Sequence, residues 1–313
     1  MRILLLGLLG IVLSLSGCKK VEGPLPKPDL TGRKAKILAT TGMIADATRA
    51  VGGEHIEVDC LMGPGIDPHL FVASPGDLSR IENSDLVLFN GVHLEGKMSD
   101  LFEERAKRAW TIGVADHLDG LQTAEEGFEG THDPHVWFDV KLWMKVVEKI
   151  RDSLIDIDPK NTESYRANSA NYLRELESLD REVHAKIQRI PEVSRVLITA
   201  HDAFGYFGRA YGMEVKGLQG VSTAADTSGK DVQALADLIG TRKIKAVFAE
   251  TSVPSKGMEA VLRAVRSKYK GFEVKLADEE LYSDALGQPG SKGETYIGMV
   301  RHNVDAVVKA LGE

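Results

Sequence analysis

The tripeptide Asp-Pro-His occurs twice in the chain, at residues 67–69 within "GPGIDPHLF" and at residues 133–135 within "DPHVWFD". Proline fixes its own φ and drives the residue before it into an extended conformation, so each copy is a stiff stub of loop that aims an imidazole. The flanks share no further similarity at any fixed period, which excludes an internal repeat. A third imidazole, His201, directly follows the strand-like run "VLITA", and Asp284 lies in "LYSDALG" after a further strand-like run. In doubly wound sheets ligands bind beyond the carboxyl ends of strands, which is where these residues fall. Three imidazoles and a carboxylate from four separate loops would make a nitrogen-rich site for a first-row divalent metal. Spacing alone does not select them, because a loop histidine is more often a surface residue. His132 competes with His135 for the same role, although it lacks the proline that would fix it. His55, His117, His184 and His302 read as strand-start, loop or helix-face residues. Asp67, Asp133 and Glu250, the last ending the run "AVFAE", are placed to orient a ligating ring, and simple turn or cap formation accounts for them equally well.

The elements that must carry these residues alternate. "AKILATTG", "HIEVDCLM", "DLVLFNG" and "WTIGVA" are strand-like, with helical stretches at 43–52, 74–83 and 97–109 between them. The same pattern resumes in "RVLITA", "EVKGLQG", "KAVFAET" and "FEVKLAD", with helices at 203–212, 229–240 and 255–269 and a closing helix at 293–311. Such alternation predicts parallel sheets covered by helices on both faces. Between the two series a helix is predicted over 139–156, and residues 160–190 contain no Gly and no Pro. Ala170, Leu173, Leu176, Leu179, Val183, Ile187 and Ile190 recur there at three- and four-residue steps. One helix of about 30 residues would be about 45 Å long, enough to run the height of both halves. The resulting organisation is an N-terminal α/β lobe at 36–158, a connecting long helix at 159–191 and a C-terminal α/β lobe at 192–313. A single nine-stranded domain would leave the long helix unexplained.

The first seventeen residues, "MRILLLGLLGIVLSLSG", read as an export signal, an apolar run too short to span a membrane as a stable helix. Residues 18–35, with three prolines and little to bury, read as an extended tether. Cys18 and Cys60 are the only cysteines, so a disulfide framework is not expected, and Cys60 reads as a small buried apolar residue. A formal charge of −7 without a Lys/Arg-dense stripe argues against a nucleic-acid partner and favours a cationic guest.

The segments "GPGIDPHLF", "DPHVWFD", "ITAHDAFGYFGRAYG", "LQGVST" and "LYSDALG", in that order and over nearly all of the chain beyond residue 17, resemble the TroA-like metal-binding solute-binding lipoproteins of zinc/manganese ABC importers (cluster A-I, family 9). The junction "LSGC" at 15–18 resembles a lipobox, which implies cleavage before Cys18 and a lipid anchor on it. The resemblance implies α/β lobes joined by one rigid helix, with a single metal site in the cleft between them. It places the ligands on His69, His135, His201 and Asp284. It further implies a monomer that delivers Zn2+ or Mn2+ to a membrane permease, exported and held at the outer face of the bacterial cytoplasmic membrane or in the periplasm. Zinc-specific members carry a His-rich loop where this chain has the short "HLDGLQTAEEGFEGTH", and many manganese-specific members have Glu at the position of His201. Neither metal is favoured by these departures. A zinc-dependent hydrolase is the alternative from another class, although no H-E-x-x-H helix or spare base is evident. A surface adhesin is compatible with a lipoprotein but has no sequence feature of its own.

Overall fold

The computed structural model describes residues 25–123 and 132–312. The export signal, Cys18 and the middle of the loop preceding His135 lie outside the described residues.

The first lobe is built on four parallel strands, β1 (Ala35–Ala39), β2 (Ile56–Cys60), β3 (Leu86–Phe89) and β4 (Thr111–Gly113), in the order β2-β1-β3-β4. β1 and β3 are central and almost wholly buried, as expected of strands covered on both faces. β2 lies at an edge, and this explains why Cys60 is only partly buried, its Sγ donating to the Met62 carbonyl (3.1 Å). The "WTIGVA" strand is shorter than its apolar run, but its bonding continues through Val114 N to Phe89 O (2.8 Å) and Ala115 N to Asn90 O (2.9 Å). Helices α1 (Gly42–Gly52), α2 (Pro75–Glu82) and α3 (Ser99–Ala106) make the crossovers. α2 starts where Ser74 and Asp77 cap one another's backbone N–H groups, with Pro75 as its first residue.

In the second lobe β5 (Val196–His201) pairs with β6 (Glu214–Gln219), and β7 (Ala246–Val247) pairs with β8 (Lys275–Leu276), all in parallel. A bond from Phe248 N to Ile198 O (2.8 Å) sets β7 beside β5, so the order β6-β5-β7-β8 repeats that of the first lobe. α6 (Gly205–Tyr211), α7 (Gly229–Arg242), α8 (Lys256–Lys268) and α9 (Tyr296–Leu311) accompany these strands.

Two helices lie between the series, α4 (Val140–Ile157) and α5 (Thr162–Ile187). α5 has 26 residues, fewer than the Gly- and Pro-free stretch suggests. Asp158 and Pro159 close its N-terminal side with a 3-10 turn, Asp158 accepting from Asn161 Nδ2 and Tyr165 Oη at 2.7 Å each. At 1.5 Å per residue the helix still measures about 39 Å. It packs against α1, α4 and α9. The largest apolar core follows it, running without interruption from Ile37 and Leu86 of the first lobe through Leu176 and Leu179 to Leu197, Phe248 and Val304 of the second. Smaller cores lie under α2 and α3 and under α7 and α8, on the outer faces of the two sheets.

The segment expected to be a free tether is partly docked. Leu30 is buried in the main core, Arg33 pairs with Asp85 (2.5 Å), and the Trp110 indole donates to the Pro26 carbonyl (3.0 Å). One apolar side chain and two polar contacts thus lay this proline-containing segment against the lobe.

Candidate metal centre

His69 lies in a turn after β2, His135 begins the 3-10 turn Val136–Phe138, and Asp284 sits in the loop between β8 and α9. His201 is not in a loop, as its position after "VLITA" suggests, but is the last residue of β5, paired in register with Gln219 of β6. Gly217 of β6 permits this approach, since a Cβ there would lie 2.4 Å from Asp202 N and 2.6 Å from the His201 carbonyl carbon. All four residues therefore stand beyond or at the carboxyl ends of strands, two from each lobe.

Their donor atoms converge. Nε2 of His135 is 3.3 Å from Nε2 of His69 and 3.4 Å from Nε2 of His201. Asp284 brings its carboxylate to 3.2 Å from His201 Nε2, 3.4 Å from His135 Nε2 and 4.0 Å from His69 Nε2. One donor atom from each residue can be chosen so that all lie within 4.8 Å of one another. The group is removed from water, with His135 and His201 at 0%, Asp284 at 1% and His69 at 5% exposure. Neither oxygen of Asp284 has a well-directed hydrogen bond, although the His201 and His135 rings stand 3.2 and 3.4 Å away as ion-pair partners. A buried carboxylate and three Nε2 atoms facing one point form the donor set that a cation at the centre would complete.

Three carboxylates are arranged around the rings. Asp133 Oδ1 accepts from His135 Nδ1 (2.7 Å) and from His135 N (2.9 Å). Glu250 brings Oε2 to 2.5 Å from His201 Nδ1 and Oε1 to 2.9 Å from His201 N. Each carboxylate holds the Nδ1–H tautomer and turns Nε2 toward the centre, as is usual around metal-ligating histidines. Asp67 does something different. Its Oδ1 accepts from the main-chain N of His69 (2.9 Å), and its Oδ2 accepts from Thr223 Oγ1 (2.6 Å) in the opposite lobe. His132 is exposed, bridged to Thr123, and stands outside the cluster, as does the exposed His117. Cys60 is likewise not among the clustered donors.

Burial pushes the His69 ring down to about 3. The same burial acts on His135, but the Asp133 and Asp284 carboxylates outweigh it and hold that ring up at about 9. His201 is raised well above the ordinary histidine value, burial being outweighed by Asp284 and Glu250. Burial would raise Asp284, yet the facing rings of His201 and His135 hold it well below the usual carboxylate range. The facing carboxylates thus favour the charged form of the His135 and His201 rings over the neutral one.

Residues without an assigned role in the sequence reading brace the cluster. The Trp137 indole donates to the Ser283 carbonyl (3.0 Å), next to Asp284, while the Trp137 carbonyl accepts from Tyr296 Oη (2.7 Å). Tyr206 Oη donates to the Asp133 carbonyl (2.9 Å), and Phe138 stacks on Phe204 at 4.2 Å. The "VWF" run directly after His135 signals this apolar bracket.

Residues 37–310 match the family described as ZnuA, zinc-uptake complex component A, periplasmic. The chain belongs to this family. Among curated relatives, the manganese-binding lipoprotein MntA of Bacillus subtilis (strain 168) is 44% identical over 287 residues, covering 90% of this chain and 93% of that one. The zinc-binding protein TroA of Treponema pallidum (strain Nichols) is 45% identical over 278 residues, covering 89% of each chain. The solved structure of the periplasmic zinc binding protein TroA from Treponema pallidum superposes with a TM-score of 0.85 at 44% identity, over 89% of this chain and 99% of that one. The α/β fold with helix-flanked parallel sheets and one long helix is thus the family's fold.

Proposed function

We propose that the chain is the extracytoplasmic solute-binding protein of an ABC importer, that it captures one Zn2+ or Mn2+ ion on His69, His135, His201 and Asp284, and that it delivers the ion to a membrane permease. The observation that carries this reading is the convergence of the buried Asp284 carboxylate and three Nε2 atoms within 4.8 Å of one another. Four donors of this kind suit a tetrahedral zinc ion, and binding through both carboxylate oxygens would add a fifth contact. Relatives named for zinc and for manganese both support a first-row divalent cargo. Asp133 and Glu250 would fix ring orientation, whereas Asp67 would act on the His69 main chain.

The export signal and the "LSGC" junction, together with relatives named as lipoproteins, support export and a lipid anchor on Cys18. The family comprises solute-binding proteins rather than enzymes. The geometry adds no support for hydrolysis, since the carboxylates beside the rings, Asp133 and Glu250, are committed to imidazole Nδ1 atoms. Elemental analysis of protein purified without chelators or added metal tests the reading. About one zinc or manganese ion per chain is expected for a single site. Protein that carries no metal and takes none up on titration overturns it.

A further inference from the structure

The motif "LQGVST" belongs to none of the elements that hold the four candidate ligands, yet its last residue reaches the site. Thr223 lies beyond the carboxyl end of β6, in the second lobe, and its hydroxyl donates to Asp67 Oδ2 at 2.6 Å across the cleft. The other oxygen of Asp67 accepts from the main-chain N of His69 at 2.9 Å. One carboxylate thereby joins the second lobe to the backbone of a candidate ligand in the first.

His69 is also the least braced of the three histidines. His135 and His201 each have Nδ1 on a carboxylate, whereas among the described residues no ion pair or hydrogen bond is recorded for Nδ1 of His69. Its loop carries Ile66, Leu70 and Val72, which are 41%, 49% and 70% exposed, and it is held on the apolar side by the partly buried Phe71 and Ala73 at the edge of a small core. Segments with few buried contacts open at low free-energy cost unless something else restrains them.

We infer that Thr223 is a positioning residue for the metal: through Asp67 it holds the His69 stub against the opposite lobe, so that closure of the cleft sets the geometry of this one ligand and opening releases it first. The inference rests on the metal-binding reading above. The hydroxyl is the only part of Thr223 that the mechanism uses, and the residue is half-buried in a loop, so its shape can be kept while the bond is removed.

The test compares Zn2+ dissociation, followed with an excess of a colorimetric chelator, in wild-type protein, Thr223→Val, Thr223→Ser, His69→Ala and the double variant His69→Ala/Thr223→Val. Thr223→Val is expected to release zinc about tenfold faster, the scale of one lost hydrogen bond to a charged acceptor, with the melting temperature of metal-free protein unchanged. Thr223→Ser is expected to restore the wild-type rate. In the His69→Ala background the valine substitution is expected to change nothing, since the two residues act as one unit. Wild-type protein that holds zinc while Thr223→Val releases it at the wild-type rate overturns the inference alone. An equal acceleration by Thr223→Val with and without His69 also overturns it, because the threonine would then act elsewhere. Wild-type protein that holds no zinc overturns the metal-binding reading and the inference together.

Discussion

At the scale of residues, the site is a set of atoms that cannot all be satisfied by one another. Alanine at His69, His135, His201 or Asp284 should therefore weaken Zn2+ binding by about a hundredfold or more, given that even outer partners of ligands are worth about 10- to 100-fold. Isothermal titration checks this, with exposed His117→Ala as the unaffected control. Glu250→Gln should cost about 10- to 100-fold, because an amide no longer demands the Nδ1–H tautomer that aims Nε2 inward. The pH dependence follows from the raised rings. A ligating Nε2 must be free of its proton, and His135 holds that proton up to about 9 in the metal-free protein. Affinity should thus fall as pH falls through about 9 rather than only below the free-histidine value of about 6.5. Metal binding should release protons from the raised rings, which calorimetry in buffers of different ionisation enthalpy would read. Binding whose affinity is flat from pH 7 to 9 would contradict this. The stiff Asp-Pro-His stubs and their place after strands were legible in the sequence, because proline and strand ends are local signals. The partner of Asp67 was not, since Thr223 lies 156 residues away and only the folded chain brings it near.

At the scale of elements, the positions of helices and strands followed from periodicity, and their ends followed from contacts that periodicity does not contain. The apolar stripe of α5 is plain in the sequence, yet the helix begins at Thr162 because Asp158 and Pro159 organise the turn before it. β7 and β8 are shorter than their apolar runs, although bonds such as Leu281 N to Ala249 O (2.9 Å) continue the pairing after them. The 3-10 turn Val136–Phe138 is the element with the greatest leverage, because it joins His135 to the Asp284 loop through the Trp137 indole. Trp137→Phe keeps a ring in place and leaves the buried Ser283 carbonyl without its donor. It should lower stability by about 1–3 kcal/mol and reduce zinc affinity as Asp284 loosens. Chemical denaturation and zinc titration of the same variant check the two effects. An unchanged denaturation midpoint would mean that the indole N–H contributes nothing to the bracket.

At the scale of the whole molecule, the two lobes share one set of donors, and a bound ion should stabilise the folded state by about 4 kcal/mol when free metal is a thousandfold above its dissociation constant. Zinc should displace manganese at equal concentration, because nitrogen-rich sites follow the Irving–Williams order whatever the biological cargo. Competition titration decides this, and displacement of zinc by equimolar manganese would refute it. The α/β class and the division about a long helix were readable from the order of strands and helices. The union of the lobes was not, because the side chains that meet across them, such as Trp143 and Tyr296 stacked at 5.1 Å, look like ordinary local core residues in the sequence. That union bears on how the protein melts. A chain with two separate interiors loses order in two steps, each lobe with its own midpoint and enthalpy. Here the main core is continuous from Leu30 to Leu311, with only smaller cores on the outer faces, so removing either half strips apolar cover from the other. Scanning calorimetry of the metal-free protein should give a single endotherm whose calorimetric and van't Hoff enthalpies agree. Heat would then never leave one lobe folded with half of the ligands in hand: the cargo and the entire fold would be lost in the same event.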